Sequence, residues 1–215
     1  LSIDINNNFK ILPLNIDHCH SLFISKNLLV ASCYRKSKIL IFNYLSLELL
    51  NAYILENEHP ISSVIYKDKL FYIDYKKSTL KYINFKENFK KAHNTSLLRN
   101  QKNPHSLKLK NNIMCITLKN PSQILIYDNL NFFKAKVFSD EFNIFSAYPI
   151  SKNYFLITFL NKGIYFYDLQ NDKLALITEN IPRPTSLAIM CNELFITSES
   201  SKAIHRIKNW KKLIK

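Results

Sequence analysis

The stretch "NPHSLKLKNNIMCITLKNPSQILIYD", residues 103 to 128, places three short apolar runs between polar breaks. "HSLKLK" alternates apolar and polar residues, as a half-exposed strand does, and "IMCITL" is nearly continuous, as a strand covered on both faces is. "QILIYD" follows as a third run. Because the apolar period is two rather than 3.6, the stretch predicts three β-strands and no helix.

The same order of runs recurs along the chain. From Ser106, apolar residues follow at Ile113 and Ile126. The same offsets recur in two other copies, and two further copies fit with a slip of one residue. The five copies begin near Ser21, Ser63, Ser106, Ala147 and Leu187. A repeat of about 40–43 residues lies in the range of a β-propeller blade, which holds four short strands.

The length fixes the expected number of blades. At about 42 residues per blade, the 215 residues form a single all-β domain, 1–215, with five four-stranded blades. The last copy lacks a fourth strand, whereas "LSIDINNNFKILPL" at the start is an extra strand-like segment. Pairing of the termini in one blade would close the ring and cover two strand edges. The alternative is a fragment of a six- or seven-bladed propeller.

Turn chemistry in this chain is unusual because it contains one Gly. The breaks between first and second strands read "SKN", "KDK", "KNN", "SKN" and "CNE". We expect Asn and Asp, which tolerate left-handed backbone, to replace glycine in these hairpins.

The "PHSL" and "ILIYD" elements resemble the repeat of NHL-type and YncE-like propellers, a group that includes quinoprotein-like blades. The resemblance covers essentially the whole chain. No GH and WD pair supports a WD40 propeller, and no paired Gly supports a kelch propeller.

Two features of the sequence bear on the cellular compartment of the protein. No run of about 18 uncharged apolar residues exists, which predicts that no segment spans a membrane. The chain starts at Leu1 without an initiator Met or a basic and apolar leader, which fits a processed exported protein or a trimmed chain. We favour export, with a periplasmic location.

The net charge of +14 suggests an acidic protein or an anionic ligand as partner. Only four of the 30 basic residues are Arg, the residue favoured for bidentate contacts to bases and phosphates. Lys, Asn, Ile, Phe and Tyr are enriched together, as an AT-rich genome would produce. The composition therefore argues against nucleic acid as the partner.

Basic residues occupy the connection between second and third strands in every copy. These residues are Arg35, Lys36, Lys76, Lys77, Lys119, Lys162 and Lys202. In a propeller these connections share one rim with the crossovers between blades, which predicts a basic rim for partner binding. The alternative is that a Lys-rich chain carries lysine in every loop, as "SKN" and "KDK" on the opposite rim illustrate.

The crossovers carry most of the histidines. The residues expected at the channel mouth are His18, His20, His59, His105, Tyr148 and Arg183. Such a cluster would hold an anion, or a transition metal bound by candidates among His18, Cys19, His20, His59 and His105. No other cofactor is predicted. The alternative is that these histidines only hydrogen-bond to nearby backbone.

The four cysteines, Cys19, Cys33, Cys115 and Cys191, lie far apart and form no CxxC pair. We expect buried thiols in strands, with a Cys19–Cys33 bridge as the alternative in an exported protein.

No catalytic set is apparent. The inner strands begin with Ser, His and Pro rather than with the converging carboxylates of propeller glycosidases. No Gly-rich phosphate loop, GxSxG or HExxH motif is present. We therefore predict a non-catalytic propeller that acts as a protein-interaction or ligand-binding module through a basic, His-bearing rim. The alternative is a metal-binding or accessory subunit of an exported respiratory or envelope system.

Overall fold

The computed structural model describes residues 2–3, 9–10, 19–85, 92–95, 97–98, 103–190, 192–201 and 204–213. Nearly all regular structure in this part is antiparallel strand, with 3-10 helices at Tyr34–Lys36 and Trp210–Leu213. No helix within the described ranges is long and apolar enough to cross a membrane.

The strands form successive sheets, each made from one stretch of chain. The first sheet holds β3 to β6, at Cys19–Ser25, Leu28–Cys33, Lys38–Asn43 and Leu49–Ile54. The second holds β7 to β10, at Pro60–Tyr66, Lys69–Asp74, Thr79–Asn84 and Ala92–Asn94. The third holds β11 to β14, at Pro104–Lys110, Ile113–Leu118, Gln123–Asp128 and Asn131–Val137.

The fourth sheet holds β15 to β18, at Ile144–Pro149, Tyr154–Phe159, Gly163–Asp168 and Lys173–Thr178. The fifth holds β19 to β21, at Pro184–Met190, Glu193–Ser198 and Ile204–Ile207. The first strand of each sheet contacts the first strand of the next. The predicted five-bladed β-propeller is confirmed, and β3, β7, β11, β15 and β19 are the inner strands.

The two chain ends are arranged separately. The fifth sheet has three strands in the described part, followed by the 3-10 helix at Trp210–Leu213. Near the N-terminus, β1 (Ser2–Ile3) pairs with β2 (Phe9–Lys10). Most of the N-terminal segment lies outside the described residues, so its pairing with the last blade stays a prediction.

Each inner strand contains a register shift near its start. Cys19 pairs with Cys33 and Ser21 with Ser32, which leaves His20 unpaired as an extra residue. The same shift leaves Ile61, His105 and Phe145 unpaired in the next three blades. A β-bulge of this kind redirects the side chain of the extra residue.

The bulges also fix the alignment of the copies. The residue after the bulge is Ser21, Ser62, Ser106 and Ser146 in the first four blades. In this register Ser62 and Ser146 correspond to Ser21 and Ser106. In the fifth blade the shift spans Thr185 and Ser186, and Leu187 pairs next.

Hydroxyl groups join neighbouring blades close to the axis. The Ser62 hydroxyl donates to the carbonyl of Leu107 at 3.1 Å, and the Ser32 and Ser63 hydroxyls lie 2.6 Å apart. Ser106 and Ser146 make the same kind of contact at 3.2 Å. These bonds satisfy buried polar groups where small side chains let the blades approach each other.

The apolar core lies between the faces of adjacent blades. Val30 packs with Tyr72 across the first junction, Met114 with Phe71 across the second, and Leu156 with Leu194 across the fourth. The face of the first blade that points away from the second is open by comparison. Leu22 is 54% exposed, whereas Leu107 and Leu187 at the same register are 1% and 2% exposed.

Left-handed backbone is frequent without glycine, as expected. Fifteen non-glycine residues in the described ranges have positive φ, and eight of them are Asn or Asp. Lys26, Ser37 and Lys67 also adopt this conformation, so the substitution for glycine extends beyond Asn and Asp. The one glycine, Gly163, has φ +101°, and a Cβ there would clash with the Thr178 carbonyl oxygen.

The cysteines are thiols in the described part. Cys33 and Cys115 are buried, as expected, but Cys19 is exposed because it lies at the start of the first inner strand. Cys191 lies outside the described residues.

Candidate functional site at the upper mouth

We call the end of the channel at which the inner strands begin the upper mouth, and the opposite end the lower mouth. The connections between second and third strands also reach the upper mouth. The Tyr34 ring lies 5.8 Å from the His59 ring of the next blade, and Tyr75 lies 6.4 Å from His105 in the same relation. Aromatic side chains therefore line this rim.

Three bulge residues meet at the upper mouth. The His20 and His105 ring centroids are 5.5 Å apart, and the His105 and Phe145 centroids are 4.2 Å apart. His20 also stacks on Phe145 at 6.3 Å. Because these residues belong to the first, third and fourth blades, their contacts cross the axis and fill the mouth with ring surface.

One hydrogen bond determines which nitrogen of the His20 imidazole carries the proton. His20 Nδ1 lies 2.9 Å from the carbonyl oxygen of Ile61, the bulge residue of the second blade. A carbonyl can only accept, so Nδ1 carries the proton, and Nε2 of the neutral ring is left as an acceptor. His105 is 5% exposed, and its Nδ1 is buried with no hydrogen-bond partner among the described residues.

Both imidazoles are neutral at pH 7. Burial lowers the pKa of His105 to about 3, with the nearby Lys119 charge adding to the effect. Loss of hydration also lowers the pKa of His20, with Lys119 and Lys108 adding. The positive charge of the upper mouth therefore comes from lysine, and the histidines supply hydrogen-bonding groups and ring surface.

Lys119 is the first of these lysines. It is half-buried, and its Nζ lies 4.9 Å from the centroid of the Phe145 ring, a cation–π contact. Burial lowers the pKa of Lys119, an effect opposed by Glu199 and reinforced by Arg183. Arg183 itself is paired with Glu199 at 2.8 Å.

Lys108 is a second amine, and it extends across the channel. Its Nζ donates to the Ser186 hydroxyl at 2.8 Å, which joins the third blade to the fifth. Burial lowers the pKa of Lys108 to about 8. Throughout the described ranges, no carboxylate forms an ion pair with this amine. Lys108 was missed at the sequence level because polar positions of "HSLKLK" indicated solvent exposure rather than the channel.

Two residues expected at this mouth are not placed in the cluster. The Tyr148 ring contacts Lys110, whose Nζ lies 5.3 Å from its centroid, near the end of the third inner strand. Phe145 takes the place expected for Tyr148 because the bulge lies three residues before it. His18 lies outside the described residues.

The basic rim carries acidic partners. Lys77 lies 3.9 Å from Glu58 and 4.0 Å from Asp74, and Lys162 lies 3.1 Å from Glu141. Arg35, Lys36 and Lys76 are exposed on the connections of the first two blades. Lys202 lies outside the described residues. The rim charge is therefore smaller than a count of lysines indicates.

Metal coordination was the other expectation for this mouth. Among the residues that the structure describes, no group of three or more His, Cys, Asp or Glu side chains could hold a metal ion. A transition metal bound with the help of His18 stays a prediction.

No protein-family model and no curated protein sequence matches this chain. Solved structures do match in fold. Virginiamycin B lyase from Staphylococcus aureus superposes with a TM-score of 0.64 at 14% identity, covering 96% of this chain and 75% of that one. BamB from Moraxella catarrhalis gives 0.54 at 8% identity, covering 86% of this chain and 55% of that one.

The computationally designed Ika8 protein gives a TM-score of 0.56 at 14% identity, covering 82% of this chain and 54% of the designed one. The chain thus spans about half the length of BamB and Ika8. These similarities show the propeller fold alone, and the subgroup within propellers stays a prediction.

Proposed function

We propose that this propeller is a non-catalytic interaction module whose upper mouth binds an anionic group carried by a protein partner. The observation that carries the proposal is the meeting of His20, His105 and Phe145, from three different blades, beside the Lys119 amine.

The mouth combines features that favour an anion. Lys119 and Lys108 bring positive charge into a partly dehydrated space, where attraction to a carboxylate is stronger than in water. The N–H of His20 is already donated to the Ile61 carbonyl, so the imidazole N–H available to an anion is that of His105. A carboxylate at this position would accept hydrogen bonds and would face the Lys119 amine that lies over the Phe145 ring.

The rim around the anion position favours a protein as its carrier. Tyr34 and the 43% exposed Tyr75 present ring surface, which is enriched in protein–protein interfaces. The net charge of +14 would accelerate the approach of an acidic partner. If an acidic loop of the partner entered the mouth, its carboxylate would lie near Lys119. The residues beside that carboxylate would contact the rings of Tyr34 and Tyr75.

A binding measurement with matched charge reversals tests this proposal. A fluorescent Glu-rich peptide is titrated with wild-type protein and with the Lys119→Glu and Lys110→Glu variants, by anisotropy at physiological salt. Both variants change the net charge equally, but Lys110 lies toward the lower mouth. We expect Lys119→Glu to weaken binding at least tenfold and Lys110→Glu by less than about threefold, because exposed charges are screened beyond about 8 Å. Equal losses would refute a site at the upper mouth.

The second candidate is that these five blades belong to a larger propeller. This possibility concerns the number of blades and not the ligand of the upper mouth. The 54% exposure of Leu22, where equivalent residues are buried, would suit a further blade. Intact mass spectrometry of the protein from its source cells distinguishes the two. A mass well above 25.3 kDa supports additional blades, and a mass of 25.3 kDa excludes them.

A further inference from the structure

Two of the four cysteines lie opposite each other in neighbouring strands. Cys19 of β3 pairs with Cys33 of β4 at the upper end of the first blade. The Cβ atoms of directly opposed residues are about 4.5–5.5 Å apart, and a disulfide needs about 3.5–4.5 Å. Both residues are free thiols here, and the Cys19 thiol donates to the Ser21 carbonyl at 3.5 Å. A small movement would therefore bring the sulfurs to bonding distance.

The pair is specific to the first blade. The opposed residues at this register in the other blades are Pro60 with Asp74, Pro104 with Leu118, Ile144 with Phe159, and Pro184 with Ser198. The cysteines are thus an addition to the repeat and not part of its packing pattern. Cys19 is exposed, whereas Cys33 is 2% exposed.

We propose that Cys19 and Cys33 form a reversible dithiol–disulfide couple that small-molecule disulfides oxidise in the folded protein. This inference does not depend on the function proposed for the upper mouth.

The exchange proceeds in two balanced steps. Cys19, as the thiolate, attacks one sulfur of a small-molecule disulfide, forms a mixed disulfide and releases one small thiolate. Cys33 then attacks the Cys19 sulfur of the mixed disulfide and releases the second small thiolate. The two cysteine protons end on the two released thiols. One protein disulfide forms, and one small-molecule disulfide is reduced to two thiols.

The surroundings favour the second step. The neighbouring Cys19 thiol lowers the pKa of Cys33 in the dithiol, and the charge of Lys38 adds to this effect. The Cys33 thiol in turn raises the pKa of Cys19. After the first step Cys19 has no S–H, but the Lys38 charge still favours the Cys33 thiolate, and Cys33 lies directly opposite the mixed disulfide. The mixed disulfide should therefore not accumulate in the wild-type protein.

The bond would link two strands next to the site residues. Cys19 precedes His20 and Cys33 precedes Tyr34, and the His20 and Tyr34 rings lie 6.3 Å apart. Oxidation would fix the strands that carry these rings relative to each other.

Peptide mapping of the wild-type protein tests the couple. Folded, reduced protein is incubated with oxidised glutathione, alkylated, digested and analysed by mass spectrometry, with dithiothreitol treatment as the reversal. We expect a Cys19–Cys33 cross-linked peptide that dithiothreitol removes, while the buried Cys115 stays alkylatable only after unfolding. Recovery of both cysteines as thiols, or of Cys19 bearing glutathione with Cys33 still reduced, would overturn the proposal.

Two variants sharpen the result. Cys33→Ser should stop at a glutathione adduct on Cys19, whereas Cys115→Ser should still form the internal bond. Oxidised wild-type protein should melt roughly 5–10 °C above the reduced form, because the bond restricts the unfolded chain. Equal melting temperatures of two forms that mapping shows to differ would contradict a bond compatible with the native strand pairing.

Discussion

The imidazole of His20 in the first blade lies 5.5 Å from that of His105 in the third, with their planes at 78°. Both residues are the extra residues of β-bulges, and Phe145 of the fourth blade completes the group. Regular strand pairing would direct these side chains between blades. The irregularity at the start of each inner strand therefore creates the upper mouth.

Buried His105 should make the protein sensitive to acid. Its pKa is about 3 in the folded state and about 6.5 in the unfolded state, so below pH 6.5 only the unfolded chain takes up the proton. The contribution of neutral His105 to the free energy of unfolding is fully present above pH 6.5 and is lost as the pH falls toward 3. Between pH 6.5 and pH 5 we expect a loss of about 1–2 kcal/mol from this residue.

Urea denaturation of wild-type protein and His105→Gln at several pH values measures this effect. The glutamine variant should lose less stability over this interval than the wild type, whatever its stability at pH 8. Parallel stability curves for the two proteins would show that His105 is not the acid-sensitive group.

The repeat period, the strand pattern and the blade count could be predicted from sequence because a period of two survives in every copy. The bulges could not be, because one extra residue inverts the alternation without changing the composition of the strand. The spacing of apolar residues alone therefore does not distinguish Ser62 from Ser63, or Ser146 from Ala147, as the residue that follows the bulge. The inverted alternation also explains why Tyr148 was expected where Phe145 lies.

A buried charge network supports the second blade. Lys81 donates to Glu58, which also accepts from Tyr72 at 2.5 Å, and Lys81 lies 4.0 Å from Asp74. Lys81→Met would leave these two buried carboxylates with only the half-exposed Lys77, 3.9 Å from Glu58 and 4.0 Å from Asp74, to balance them. We expect a loss of about 3–5 kcal/mol in the free energy of unfolding.

The matched control is Lys136→Met, which removes the exposed ion pair between Lys136 and Asp172. Exposed pairs contribute about 0–1 kcal/mol, so this variant should unfold at nearly the wild-type urea concentration. Similar losses in both variants would mean that the second-blade network is not effectively buried.

Gly163 should not tolerate a side chain. With φ +101° and a Cβ position 2.9 Å from the Glu179 Cα, alanine would meet fixed backbone. We expect Gly163→Ala to cost at least about 1–3 kcal/mol. Asn112→Gly, at another left-handed position, should change stability by less than about 1 kcal/mol. If calorimetry gives the two variants equal melting temperatures, the prediction that position 163 requires glycine is wrong.

The C-terminal 3-10 helix should stabilise the last two blades. Trp210 is 1% exposed and packs with Leu156, Ile177 and Leu194. Trp210→Ala should cost about 3–5 kcal/mol by leaving a cavity. Leu213→Ala, at a 40% exposed position of the same helix, should cost much less. Thermal melts in which both variants lose stability equally would indicate that helix formation, not Trp210 packing, is what matters.

The charge of the candidate site was harder to predict than its location. Lysines at equivalent loop positions differ in their surroundings, since Lys162 faces Glu141 whereas Lys119 lies over a ring. Sequence spacing reveals neither partner, because both come from other loops or blades. In the same way, the pKa of a histidine depends on burial, and that burial arises only when the blades pack together in the folded propeller.

Histidine imidazole spectra recorded during titration with a Glu-rich peptide test the central claim most directly. His20 and His105 report on the upper mouth, while His93, in the outer strand of the second blade, and His205, in β21, report on other surfaces. Binding at the mouth predicts saturable shifts of the His20 and His105 signals with no comparable change at His93 and His205. Saturable binding that leaves His20 and His105 unshifted, or shifts all four alike, would contradict it.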